Sequence, residues 1–200
     1  MKEFDKIVEK SEKVMWEGKP IFLIYFFAKI VPAFIVFLFA SAISLFIVLN
    51  KTSAEKSLLT NLFVGVFCAI MFLVVVGTII SYFKLHYAIT NKRVIIQKGI
   101  IGTDFLIVDF DQITNAEVNV GLLDKMFMKN TGTISIFTPT SMVHTKHGTK
   151  IVPHMMLGIT DPYKVFKFFK KVSHDVKTDI EFPNAYRPKS NKGYRTSYKG

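Results

Sequence analysis
The sequence predicts an α+β chain: an N-terminal two-helix transmembrane hairpin, then an antiparallel β-barrel or sandwich capped by a C-terminal helix. Three observations predict it. Residues 21–49 and 58–83 are long apolar runs joined by a short polar link. After Phe83 the pattern changes to short alternating segments separated by turn residues. From Thr160 onward apolar residues recur at helical spacing.

The hairpin follows from length. A hydrocarbon core about 30 Å thick takes roughly 20 apolar residues in a helix, and both runs exceed that. Windows 30–49 and 62–81 hold no charge. Backbone polar groups in lipid must be paired internally, which makes a helix the form such a run takes. Their length also sets the runs apart from core helices of a soluble domain. The first begins after about 20 polar residues and lacks an A-x-A-like exit before Asn50, unlike a cleaved signal peptide. Lys29 lies about two turns into the first run and can snorkel toward the nearer interface. It reads as a border mark, not an intramembrane functional charge, because neither span offers an acidic partner. Pro32 kinks or begins the helix proper.

The link, residues 50–57, is short enough to force antiparallel neighbours. It carries Lys51 and Lys56. The opposite flanks carry five Lys before Ile21, then Lys84, Lys92, Arg93 and Lys98. That bias predicts a two-span protein of the cell membrane with both termini cytoplasmic. Gly65, Ala69 and Gly77 offer small surfaces for helix contact.

The leader, residues 1–20, balances five Lys against five acids. Phe4, Ile7, Val8, Ser11 and Met15 follow a three-to-four spacing, which predicts an amphipathic helix over residues 2–16. It is either an interfacial anchor or a solvated leader packed on the soluble part. Trp16 suits a headgroup layer, and Gly18-Lys19-Pro20 ends the helix.

Residues 84–177 read as the soluble domain. Strands are predicted at 85–90 and 93–98 around an Asn91-Lys92 turn, then at 105–110 and 116–120. Residues 121–129 read as a loop with a helical turn. A strand over 133–138 is stopped by Pro139. Segments 142–144 and 150–155 pair around Lys146-His147-Gly148, with Pro153 marking an edge or bulge. Many short strands with regular turns point to a barrel or sandwich. Thr160 or Asp161 caps the last helix and Pro162 opens it. Val165, Phe166, Phe169 and Val172 share one face; Lys164, Lys167, Lys170 and Lys171 make the other basic. Residues 178–200 have the composition of a disordered basic tail.

The formal charge is +11, and the portion after Phe83 holds 18 Lys/Arg against nine acids. A basic domain at a membrane has a partner in anionic lipid, worth about 1 kcal/mol per basic side chain near the surface. Excess lysine also simply solvates a surface. Nucleic acid, through the tail, is the weaker alternative. Cys68 is the one cysteine, so neither an intrachain disulfide nor a cysteine zinc cage can form.

No catalytic constellation is legible. Among His86, His144, His147, His154 and His174, only His144 and His147 are close in sequence, and no Cys, Asp or Glu lies beside them. Asp109 and Asp111 read as a strand's polar side or a turn. No G-x-S-x-G, Walker or dinucleotide motif occurs. An enzyme or transport component would need a pocket gathering Asp109, Asp111 or the histidines.

Tyr87-Ala88-Ile89-Thr90-Asn91-Lys92-Arg93-Val94-Ile95-Ile96, followed by Gly99-Ile100-Ile101-Gly102, resembles the bacterial pleckstrin-homology domain family of the YdbS type. Ile113, Val118-x-x-Gly121-Leu122-Leu123-Asp124 and Gly132-Thr133-Ile134-Ser135-Ile136 are similar to its later strands. Asp161-Pro162 before a helix and the leader Met15-Trp16-Glu17-Gly18-Lys19-Pro20 before two spans also match. The resemblance implies a partly open PH-like β-barrel closed by the C-terminal helix. It implies a binding or assembly module; the residues lead us to expect a protein partner, a second copy or a membrane surface, and no cofactor. It carries over no reaction and no phosphoinositide site. The residues expected to touch lipid headgroups or a partner are Lys92, Arg93, Lys146 and Lys150. Lys92 and Arg93 equally suit a solvated hairpin tip.

Overall fold
The structure, a computed structural model, describes residues 3–49, 53–127, 130–145 and 148–181. Two antiparallel helices, α1 (Phe22–Leu49) and α2 (Ser53–Lys84), form the hairpin. Phe37 of α1 stacks on Phe63 and Phe67 of α2. Phe22–Phe46 and Thr60–Lys84 are long and apolar enough to cross a membrane. Only 11% and 6% of their apolar windows are buried, whereas a core helix of a soluble domain is mostly buried. Pro32 lies inside α1.

The helix expected over residues 2–16 does not form. Phe4–Lys6 makes one 3-10 turn, and β1 (Val14–Gly18) is a strand. β1 pairs antiparallel with β2 (His86–Thr90), Gly18 lying opposite Tyr87. β3 (Arg93–Lys98) and β4 (Asp104–Asp109) complete a four-stranded sheet in the order β1-β2-β3-β4. The apolar leader residues are explained by where they pack. Phe4, Ile7, Val8 and Val14 cover Ala88, Ile95 and Phe105 on one face of this sheet. Burial against a sheet outweighs the weak helical preference of a short segment.

The helical hairpin is thus inserted between two neighbouring strands. Three residues (Lys19, Pro20, Ile21) separate β1 from α1, and Leu85 alone separates α2 from β2.

A second sheet, ordered β5-β6-β9, comprises β5 (Asn115–Asn119), β6 (Thr131–Phe137) and β9 (His154–Thr160). β7 (Met142–Thr145) and β8 (Gly148–Ile151) form a separate ribbon. The strand expected over 150–155 is therefore divided. Proline has no N–H to give a ladder. The chain leaves β8 at Ile151, passes Pro153 and crosses to β6 as β9.

Among the described residues no ladder joins the two larger sheets, so no closed barrel is present. α4 (Pro162–Glu181) buries Val165, Phe168, Phe169, Val172 and Val176 in a core shared with Tyr87, Ile89, Val94, Ile96 and Val108 of one sheet and Ile134, Ile136, Met156 and Ile159 of the other. Phe169 meets Phe110, from a 3-10 turn after β4, at 5.8 Å between ring centres. Asp161 precedes α4 with φ +50°, and its carbonyl accepts the first helical bonds from Lys164 and Val165. α4 runs through Glu181, into the segment whose composition reads as tail. Residues 182–200 of that tail lie outside the described residues.

The sheets are fixed to the hairpin. Ile21 N donates to Gly158 O at 2.9 Å. Gly158 has φ +63°, and a Cβ there would meet Ile24 at 3.3 Å. The Tyr87 hydroxyl accepts from Leu157 N at 3.0 Å and donates to Leu157 O at 3.2 Å, tying the two sheets together. Burial pushes the Tyr87 phenol well up, which keeps it neutral. α3 (Leu122–Phe127), the turn expected within 121–129, lies along α1, with Phe127 stacked on Phe27 at 4.8 Å.

Candidate functional site
The β2–β3 hairpin carries two of the four expected contact residues. Its turn is built locally. Thr90 Oγ1 accepts from Lys92 N at 3.1 Å and Arg93 N at 3.0 Å, so the threonine folds the corner upon itself. Lys92 and Arg93 then project from the tip toward the leader.

They meet two acids there. Arg93 grips Glu12 with two parallel bonds, Nε to Oε1 at 3.0 Å and Nη2 to Oε2 at 2.8 Å. Such fork-to-fork pairs are among the strongest charge-assisted contacts. The Glu12 side chain is 0% exposed and that of Arg93 16%, so this is an interior pair and not a solvated tip. Thr90 Oγ1 donates to Glu12 Oε1 at 2.6 Å, and Glu9 N donates to Oε2 at 3.2 Å. Lys92 Nζ binds Glu9 at 2.7 Å and Ser11 Oγ at 3.2 Å. Asn91 and Lys13 exchange bonds: Lys13 N donates to Asn91 Oδ1 at 2.8 Å, and Asn91 N to Lys13 O at 3.1 Å.

Burial alone would raise the Glu12 pKa. Hydrogen bonds from Arg93, Thr90 and the Glu9 backbone, with the guanidinium charge, instead hold it below its usual value. Arg93 is raised, first by its hydrogen bond to Glu12. The residues 3–13 form a strap. Phe4 anchors its far end, buried edge-on against His86 at 6.2 Å, and Glu3 N donates to Gln97 Oε1 at 3.0 Å.

Lys150 lies on β8 opposite Val143, and among the described residues no ladder joins that ribbon to the β2–β3 hairpin. Lys146 lies outside the described residues. Sequence reasoning missed Glu9 and Glu12. Their partners are some 80 residues away, and no local pattern signals such a contact.

The remaining titratable candidates sit on separate elements. Asp109 ends β4 and Asp111 lies in the following 3-10 turn. His86 is buried under Phe4. His154 faces Thr138 Oγ1 at 3.4 Å. His174 is exposed on α4. Burial lowers the pKa of both His86 and His154. Among the described residues no group of three His, Cys, Asp or Glu is placed to hold a metal ion. Lys164, Lys167 and Lys171 are exposed on α4, without an ion pair to any described residue.

Two apolar prongs flank the end of the hairpin. On α3, Leu122 is 80% and Met126 75% exposed. The helix is held by buried Asp124, which accepts from Gly121 N and Thr131 Oγ1, each at 2.9 Å. On the β3–β4 turn Ile101 is 97% exposed. Lys84, the last residue of α2, secures that turn through the Ile101 and Gly102 carbonyls.

A family model for the bacterial PH domain matches residues 26–169, well over half of the chain. The chain belongs to the bacterial PH domain family. The matched range of this PH-domain protein includes Lys92 and Arg93 and leaves out Glu9 and Glu12. Among solved structures it is similar to a DUF1696 family protein with a pleckstrin-homology domain from Shewanella loihica PV-4. Identity is 18%, with 46% of this chain and 73% of that chain covered, at a TM-score of 0.33. No curated protein matches.

Proposed function
We propose that this PH-domain protein is a membrane-anchored binding or assembly module that performs no reaction of its own. α1 and α2 cross the bilayer, both termini lie in the cytoplasm, and the sheets are presented to a protein partner at the membrane surface. The observation that carries this reading is the insertion of an exposed apolar hairpin between paired strands β1 and β2. The hairpin adds Tyr25 and Tyr82, at its sheet end, to the domain's core, and most of its other apolar residues are left to the bilayer. The basic hairpin tip is already matched charge for charge by Glu9 and Glu12, which leaves it little charge to offer a lipid headgroup.

The test replaces residues 20–85 by a two-residue Asn-Gly turn, since the register that sets Gly18 opposite Tyr87 brings Lys19 opposite His86. The shortened chain is expected in the soluble fraction, folded, and crosslinked to the same protein that the full chain captures in native membranes. Full retention on membranes would refute the anchoring role. Orientation is read by protease protection of the C-terminal tail in sealed vesicles.

A second reading has its own support. Lys164, Lys167 and Lys171 form an exposed basic face on α4, suited to anionic lipid. Charge reversal there should weaken liposome binding by the released domain, as should salt. Reversal at Lys92, Arg93, Lys146 and Lys150 is read one residue at a time. Binding unchanged by every reversal and by salt removes the lipid reading.

A further inference from the structure
Within the apolar hairpin, Lys29 is a charge without a partner among the described residues. Lys29 stands on α1, seven residues after Phe22, which is about 10 Å along the helix axis. It is exposed and makes no ion pair or hydrogen bond with any described residue. It opens into a cleft of about 400 Å³ between α1 and α2. Thr78, Ser81 and Tyr25 line the cleft on the side of the sheets, Gly77 lies along it, and Ile70 and Leu73 continue it up the hairpin. Ile100, from the β3–β4 turn, closes its lower edge.

The donors in this cleft are not equivalent. Thr78 Oγ1 donates to Val74 O at 2.7 Å and Ser81 Oγ to Gly77 O at 2.8 Å, so both hydroxyl protons are spent within α2. Tyr25 is engaged with Ser81. The Lys29 ammonium is left with three protons to give and no acceptor. The wall above it is apolar, with Leu73 67% exposed. Gly77 keeps the cleft open: a Cβ there would touch nothing within 4 Å.

We propose that this cleft is a phospholipid site, in which Lys29 binds the phosphate and the Ile70–Leu73 wall holds the upper part of an acyl chain. This rests on the reading that α1 and α2 cross a bilayer. A cation beside an apolar wall complements an amphiphile with an anionic head. A soluble anion would have to leave water to enter this band, whereas the phosphate of a lipid in that leaflet already sits near it. The same contact removes the cost of an unmatched charge within the hairpin.

The test uses the full chain, purified in mild detergent and incubated with dioleoylphosphatidylglycerol. Native mass spectrometry reads the bound lipid. Lys29→Met should lower occupancy about tenfold, the worth of a hydrogen bond to a charged group, and Lys29→Arg should retain it. Gly77→Leu should exclude the lipid by filling the cleft, while Gly77→Ala leaves room. Dioleoylglycerol, which lacks the phosphate, should not be retained, and excess inorganic phosphate should not displace the phospholipid. Equal lipid retention by wild type, Lys29→Met and Gly77→Leu overturns the proposal. Displacement by inorganic phosphate also overturns it, in favour of a free-anion site. Vesicle flotation separates the two readings. A chain that fails to float refutes the membrane anchor, and one that floats with indifferent variants refutes the lipid site alone.

Discussion

Glu12→Ala is the most informative single change in the strap. It removes both bonds to the Arg93 guanidinium, the acceptor of the Thr90 hydroxyl and the acceptor of Glu9 N. Arg93 keeps only the Ile7 carbonyl at 3.3 Å and the Glu9 carboxylate at 3.8 Å. Deleting one member of a buried ion pair costs about 3–5 kcal/mol, because the other is left uncompensated. Arg93 is 16% exposed and has Glu9 within reach, which favours the lower end. About 3 kcal/mol corresponds to a little over a hundredfold in the opening equilibrium of the strap. Hydrogen exchange by mass spectrometry on the full chain in detergent reads this directly over residues 3–18. Glu12→Ala and Arg93→Met should each accelerate exchange there. Glu12→Met with Arg93→Met should recover much of the loss, since no charge is then stranded. Unchanged exchange in Glu12→Ala, or a double variant as open as the sum of the singles, would refute the reasoning. Acid should act in the same direction. The Glu12 pKa is held below 4.5, so its contribution is complete above that pH and is lost as pH falls through the lowered value.

Three other outcomes are expected. Tyr87→Phe strands both backbone groups of Leu157 and should cost about 1–3 kcal/mol, read as a lower thermal midpoint in detergent. Gly158→Ala places a side chain at φ +63° and against Ile24, and should cost about 1–2 kcal/mol from the backbone alone. Faster exchange at Ile21 N would locate that damage at the junction of α1 and β9. His86 and His154 both have lowered pKa values, so the unfolded chain binds more protons than the folded one just below pH 6.5. Stability should therefore fall as pH drops from 6.5, and a double His→Gln variant should flatten that slope. An unaltered slope would show that neither ring carries the effect.

What was legible in the sequence followed from solvent and local chemistry. The two apolar runs could be read because lipid admits few backbone forms. The β2–β3 hairpin could be read because Thr90 and Asn91 build its turn from neighbouring residues. Pro153 marked an irregularity but not its consequence, the transfer of the chain from ribbon to second sheet. The strap was misread because Phe4, Ile7 and Val8 have helical spacing, while the surface they cover, Ala88 and Ile95, comes from beyond the hairpin. Arg93 reads equally as a solvated tip or a headgroup contact until Glu12 is placed beside it. Those distant pairings depend on tertiary closure, which no window of the sequence contains.

The connections on either side of the hairpin are too short to act as a swivel. Ile21 is bonded to β9, and Leu85 alone joins α2 to β2. Helices and sheets must therefore turn as one stiff body. A bilayer that thins and tilts the two rods would swing the edges of the sheets through the same angle, and a partner pulling on those edges would lever the rods in return.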